Sequence, residues 1–319
     1  MKIMVPLVKG CAVLDLVEAG ADEFYFGFFD KRWERSFGTF SEINRMSSFG
    51  TRANYAVSEI NELVKCIHDN GKKAFVTLNS AYYTKQQLPY VYEYIDMLCD
   101  MCVDGIILGD CLLIEEVRKR GGVPVLSTMA GVYNSLILDF YADMGVDRII
   151  LPRDISLNNI KQIVKNRNDV QFEVFLMRNG CKYSDSQCSM YHGRGFGSMC
   201  FCLDHLENKM IFDEPISDIG KQNYERKNIA YRTKYHREAC GICCLKFFYE
   251  IGVSSVKIVG RNDEMNSVIN DVKCVRKYMD MIEAGEEFIV EKTGKCFENY
   301  NCYYSMDEKE WSRADKNVP

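Results

Sequence analysis

At 319 residues the chain is long enough for one (β/α)8 barrel or two average domains. Its 47% hydrophobic and 27% charged residues are ordinary for a globular protein, and a net charge of -5 argues against a global nucleic-acid-binding face while leaving room for a local basic pocket. No run of about 18 apolar residues is present, and the start Met1-Lys2-Ile3-Met4-Val5-Pro6 lacks a signal-peptide pattern, so a cytoplasmic protein without membrane contact is expected.

In chain order, short apolar runs alternate with helical patterns. Strands are expected at residues 2–7, 23–27, 73–78, 105–108, 124–127, 148–151, 170–176 and 255–259. Helices are expected at 11–18, 58–69 with Ser58 as its cap, 88–102, 112–119, 135–144, 157–166, 242–251 and 264–284. Residues 28–52 show no clear period and read as a loop on the substrate side. Eight strands joined by single helices predict an α/β fold, a closed parallel (β/α)8 TIM-like barrel, with a cysteine-rich insertion after strand 7 and a C-terminal helical extension. The expected division is 1–262 for the barrel, including an insertion at 181–240, and 263–319 for the C-terminal helix and tail. Gly193-Arg194-Gly195-Phe196-Gly197 does not lie between a strand and a helix, so it reads as a loop and not as a phosphate cradle.

Fifteen cysteines without a secretion signal point to reduced thiols, some of them binding metal. Cys11, Cys66, Cys99, Cys102 and Cys274 fall among helical apolar positions and are expected to be small buried hydrophobes, with Cys111 left open. The remaining concentration is at Cys181, Cys188, Cys200, Cys202 and Cys240. Cys240 also opens a Cys-x-x-Cys pair with Cys243, and Cys243 and Cys244 could take its place. Cys296 and Cys302 in the tail form a weaker pair.

Barrel enzymes work from the C-terminal ends of their strands and the loops that follow. That rule selects Asn79, Asp110, Ser127, Thr128, Arg153, Asp154, Cys181, Gly260 and Arg261. His68 reads as structural or solvent-facing, and His192, His205 and His236 fall in the insertion. No nucleophile elbow, His-Glu-x-x-His helix or papain-like cysteine context is present.

Glu173-Val174-Phe175, then Cys181, Cys188 and Ser189, resemble the signature of the U32 peptidase family. The resemblance extends to residues 72–79, 104–110, 145–154 and 252–261, so it covers roughly 1–262. The chain departs from the family pattern in placing Met177 where His is usual, Arg178 and Ser186 where Gly is usual, Asp154 for Glu, and Met129 for Gln. The resemblance implies a [4Fe-4S] cluster held by Cys181, Cys188, Cys200 and Cys240, with Cys202 as the alternative third ligand. Soft thiolates also suit zinc, which is the alternative metal, although the Cys181 to Cys188 gap is wider than a zinc knuckle.

Two functions follow as expectations. The first is oxygen-independent, hydroxylation-type modification of a substrate bearing an anionic group, held by Asn79, Ser127, Arg153, Lys257 and Arg261. The cations suit a carboxylate or phosphate on a small molecule, an RNA or a peptide. The second is hydrolysis of a peptide or collagen-like substrate, with Asp110, Asp154 and Glu173 polarising water or binding a metal ion. A non-catalytic partner subunit or zinc-stabilised scaffold, in a homo- or hetero-oligomer with another U32-like protein, is the third reading.

Overall fold

The computed structural model of the chain describes residues 1–8, 13–38, 41–45, 53–180, 184–188, 217–218, 239–261, 263–290 and 303–304. Its strands are β1 (Lys2–Pro6), β2 (Glu23–Phe29), β3 (Asn54–Ala56), β4 (Lys73–Leu78), β5 (Gly105–Leu108), β6 (Pro124–Leu126), β7 (Arg148–Ile150), β8 (Gln171–Met177) and β9 (Ser255–Ile258). The strands pair in parallel in the order β1-β9-β8-β7-β6-β5-β4-β2, and a β1–β2 pairing closes the ring. The expected eight-stranded barrel is therefore present. The strand β3 is additional and attaches outside the ring to the end of β2, pairing Gly27 with Asn54.

Helices occupy the crossovers: α1 (Val13–Ala19), α2 (Lys31–Phe37), α3 (Ile60–Asp69), α4 (Leu88–Asp100), α5 (Leu112–Lys119), α6 (Ser135–Asp143), α7 (Leu157–Asn166) and α8 (Leu245–Ile251), followed by α9 (Met265–Glu283). Parallel strands covered by helices are buried on both faces, which explains why every residue from Ala74 to Leu78 of β4 is buried and all but Thr77 are apolar. The longer helices bury one stripe; in α3 it is Ile60, Val64 and Ile67. In α9 the stripe includes Val268, Val272, Val275 and Met279, and Arg276 donates to the Gly20 carbonyl, 2.8 Å, tying this helix to the loop between α1 and β2.

Three local expectations are corrected. Residues 28–52 are not loop throughout, because Asp30 accepts the Arg32 N–H and starts α2, whose one buried side chain is Trp33. A single buried residue in two turns leaves no period to detect. Ser58 does not cap α3; it sits in a 3-10 turn in which the Glu59 carboxylate accepts the Ala56 N–H, 2.6 Å. Cys66 and Cys102 are exposed, Cys66 off the buried stripe of α3 and Cys102 in a left-handed turn at φ 57 after α4. Cys99, Cys111 and Cys274 are half-buried, and Cys11 lies outside the described residues. Among the described residues no helix is long and apolar enough to cross a membrane.

Candidate functional site

Below the mouth, the barrel interior carries charge. Arg148 on β7 donates through both terminal nitrogens to Glu23 on β2, at 2.7 and 2.8 Å, and lies 3.4 Å from Glu173 on β8. Lys257 on β9 donates to the other oxygen of Glu173, 2.8 Å, and Ser255 donates to Glu23. Two carboxylates and two cations thus neutralise one another where water is excluded; Glu173 is fully buried. Burial lowers the Lys257 pKa, opposed by the Glu173 charge. For Arg148 the burial penalty is outweighed by its bonds to Glu23 and by the nearby Glu173 charge, and its pKa rises. Glu173, an expected catalytic carboxylate, is held in this network, and Lys257 spans both it and the cavity above.

That cavity opens at the C-terminal ends of the strands and, with the solvent at its open end, spans about 570 Å³. Tyr25, Thr77, Ile107, Ile150 and Phe175 form its depth, and Arg45, Arg153 and Arg261 stand at its rim. The structure brings together here all five residues expected to hold substrate, Asn79, Ser127, Arg153, Lys257 and Arg261, and with them Thr128, which was also named from sequence. Asn79 accepts the Arg45 N–H, 3.0 Å, and donates to the Ser127 hydroxyl, 3.3 Å, linking β4 and β6 across β5. Arg153 lies 4.4 Å over the Phe175 ring, donates to the Asn179 carbonyl, 2.6 Å, and pairs with Asp185 at 3.1 Å. Arg261 donates to the Arg45 carbonyl, 2.6 Å. Its pKa is lowered, by burial first and by the neighbouring Arg153 and Arg45 charges.

Two segments fold over this mouth. Residues 41–45 come from the β2 side and residues 184–188 from the β8 side. The second is docked by Asp185, which accepts from Thr128, 3.0 Å, as well as pairing with Arg153. The two segments meet where Arg45 Nη2 donates to Cys188 Sγ, 3.2 Å. No histidine lines the cavity among the described residues, and His68 pairs with Asp104 at 2.8 Å on the outside of the barrel.

The remaining expected carboxylates are engaged elsewhere. Asp110 accepts the Leu112 N–H at the start of α5, 3.1 Å, and the Tyr83 N–H, 3.3 Å. Asp154 accepts from Tyr133, 2.7 Å, at a more exposed position. Asp110, Asp154 and Glu173 therefore have three separate sets of partners, and the structure does not gather them around one water or metal. Of the expected metal ligands, Cys188 is half-buried beside Arg45, and Cys240 is half-buried and bridged to Met177 at the end of β8. Cys181, Cys200 and Cys202 lie outside the described residues, as do His192, His205 and His236.

Tyr25, Arg45 and Asp185 were not singled out from sequence. Tyr25 had a signal: Glu23 and Tyr25 alternate with Phe24 and Phe26, which puts both polar groups on the inner face of β2. Arg45 and Asp185 had none, since each acts through partners distant in sequence.

A family model described as Peptidase family U32 matches residues 11–313. The chain is 26% identical over 278 residues to "Uncharacterized protease MJ0090" of Methanocaldococcus jannaschii, covering 85% of this chain and 63% of that protein. It is 26% identical over 264 residues to "tRNA hydroxylation protein P1" of Bacillus subtilis, covering 76% and 59%. Against "23S rRNA 5-hydroxycytidine C2501 synthase" of Escherichia coli the identity is 26% over 284 residues, covering 82% and 41%. The chain thus spans less than two thirds of the length of each of these relatives.

Proposed function

This chain belongs to peptidase family U32, and from that premise we propose that it acts in hydroxylation-type modification of an RNA nucleoside whose reacting part enters the barrel mouth. Relatives named for tRNA and rRNA hydroxylation motivate the reaction class. The observation that carries the reading is the cationic cavity joined to Cys188 through Arg45. RNA contact is local, since the net charge is -5 and the cations converge on the mouth.

A sulfur-ligated metal group fits the donors that are described. Cys188 and Cys240 supply soft ligands on the β8 side of the barrel, and the Arg45 guanidinium donates to the Cys188 sulfur. Cys181, Cys188, Cys240 and one of Cys200 or Cys202 would hold a [4Fe-4S] cluster, which supplies electron transfer when bound. Zinc is the alternative, and it would leave the site redox-silent. This chain's own contribution is to bind and orient: Arg153 and Arg261 take an anionic group, Asn79 and Ser127 present amide and hydroxyl dipoles, and residues 41–45 and 184–188 narrow the mouth against water.

Nucleoside mass spectrometry of tRNA and rRNA tests the reaction, comparing cells without the gene with cells expressing the chain under anaerobic conditions. The expected result is a nucleoside that gains one oxygen only when the chain is present. Unchanged RNA, together with cleavage of gelatin or short peptides by the purified chain, would move the assignment to the hydrolytic reading.

A further inference from the structure

One buried polar group in the cavity is unexplained by the fold. The Tyr25 side chain is 3% exposed, lines the cavity, and its hydroxyl has no hydrogen-bond partner among the described residues. Other buried hydroxyls are satisfied: Thr77, in the same cavity, donates to the Phe26 carbonyl, and elsewhere Tyr83 donates to the Ile43 carbonyl and Tyr94 to Asp30. Buried polar groups are almost always paired, so an orphan hydroxyl on a side chain that lines a cavity marks a position that a ligand completes. The ring is held in place, with Lys257 Nζ 3.9 Å from its centroid.

The charge around this hydroxyl selects the kind of ligand. Arg45, Arg153, Arg261 and Lys257 line the cavity against one lining carboxylate, Asp185, which is engaged by Arg153 and Thr128, while Arg45 pairs with Glu42, 3.3 Å, which does not line it. Lys257 is committed to Glu173. Burial raises the Tyr25 pKa, so the phenol keeps its proton and can donate. A water molecule would satisfy the hydroxyl but would bring no negative charge to a lining that holds four cations and one carboxylate.

We propose that Tyr25 and Arg261 form the seat of an oxyanion, a carboxylate or phosphoryl group of the substrate, with the Tyr25 hydroxyl donating one hydrogen bond and the arginine supplying the counter-charge. The assignment rests on reading the barrel mouth as the substrate site, and it is independent of which reaction follows. It moves the anion contact from Lys257, the cation at the end of β9, to a tyrosine that no strand-end rule selects.

Binding separates this proposal from the reaction. The full chain would be titrated by calorimetry with malonate, inorganic phosphate and the neutral diamide malonamide, at constant ionic strength set by chloride. The expected result is that malonate or phosphate binds and malonamide does not, with the preferred anion telling a carboxylate from a phosphoryl seat. Tyr25→Phe removes only the hydroxyl and should weaken that binding about tenfold, while the unliganded chain melts no lower than wild type. Arg261→Lys, which keeps the charge but loses the fork, should weaken it as well. Equal anion affinity in wild type and Tyr25→Phe, equal binding of malonamide, or no binding of either anion would each overturn the proposal. Loss of RNA modification alone would not touch it.

Discussion

Lys257 stands near a strand end, where a cation is expected to meet substrate, yet its ammonium is bonded to Glu173 and lies over the Tyr25 ring. Glu173 in turn is shared with Arg148. Removing one partner of a buried ion pair leaves the other charge uncompensated, at a cost of about 3–5 kcal/mol. Glu173→Gln should therefore lower stability by about 3 kcal/mol, seen as a lower midpoint in urea with an unchanged slope. A variant as stable as wild type would show that the carboxylate does not serve the fold. At the mouth, Cys188 carries a different prediction. Anaerobically prepared wild type should contain about four iron and four sulfide per chain, and Cys188→Ser should contain less of both with the electron paramagnetic signal reduced or altered. Zinc in place of iron in both samples would replace the cluster with the alternative metal.

At the scale of elements, the ends of the strands are set by close backbone approach and by capping. A Cβ at Gly109, just after β5, would run into the Ser80 and Asn79 carbonyls at the end of β4. Gly109→Ala should cost about 1–3 kcal/mol and displace Asn79 from the rim, detectable as a lower melting temperature together with weaker malonate binding. Asp110 is held by the start of α5. One of its oxygens accepts the Leu112 N–H and the other the Tyr83 N–H, so Asp110→Asn, which keeps a single acceptor, should cost about 1 kcal/mol and Asp110→Ala somewhat more. A catalytic base would show the opposite pattern, with activity lost in Asp110→Asn at full stability. The turn after β8 is shaped by side chains. Arg178 and Asn179 both adopt positive φ, 65 and 47, where the family pattern has Gly at the first, and Arg178 is held there by ion pairs to Asp263 and Asp271. Those carboxylates belong to the segment around α9, so the C-terminal extension helps to shape the loop that leads into the cysteine-rich insertion.

For the whole molecule, buried tyrosines govern the alkaline limit. Burial raises the pKa of Tyr25, Tyr83 and Tyr94 above the ordinary tyrosine value of 10.0. A folded pKa above the unfolded one means that the stability these groups contribute is complete below pH 10 and is lost as pH rises past 10.0 towards the folded values. The melting temperature should accordingly fall between about pH 10 and pH 11, and less steeply in Tyr25→Phe, which removes one of the three titrations. An equal slope in that variant would mean that Tyr25 ionises freely in the folded chain.

The order and type of the barrel elements were legible from local pattern, because hydrophobic period, element length and Gly-closed helices are properties of contiguous residues. The same reading located the rim and five residues that now share the cavity, since a strand's C-terminal end is a position in the sequence. It missed α2, where Trp33 alone is buried, and it could not sort charged residues into those that pair and those that face a ligand. That sorting belongs to the tertiary structure. Arg148 meets Glu23 across 125 positions and Arg45 meets Cys188 across 143, and only closure of the barrel brings such groups within bonding distance. Closure also decides what is left over: it pairs Lys257 with Glu173 and leaves the Tyr25 hydroxyl, among the described residues, without a hydrogen-bond partner beside the cavity that its side chain lines.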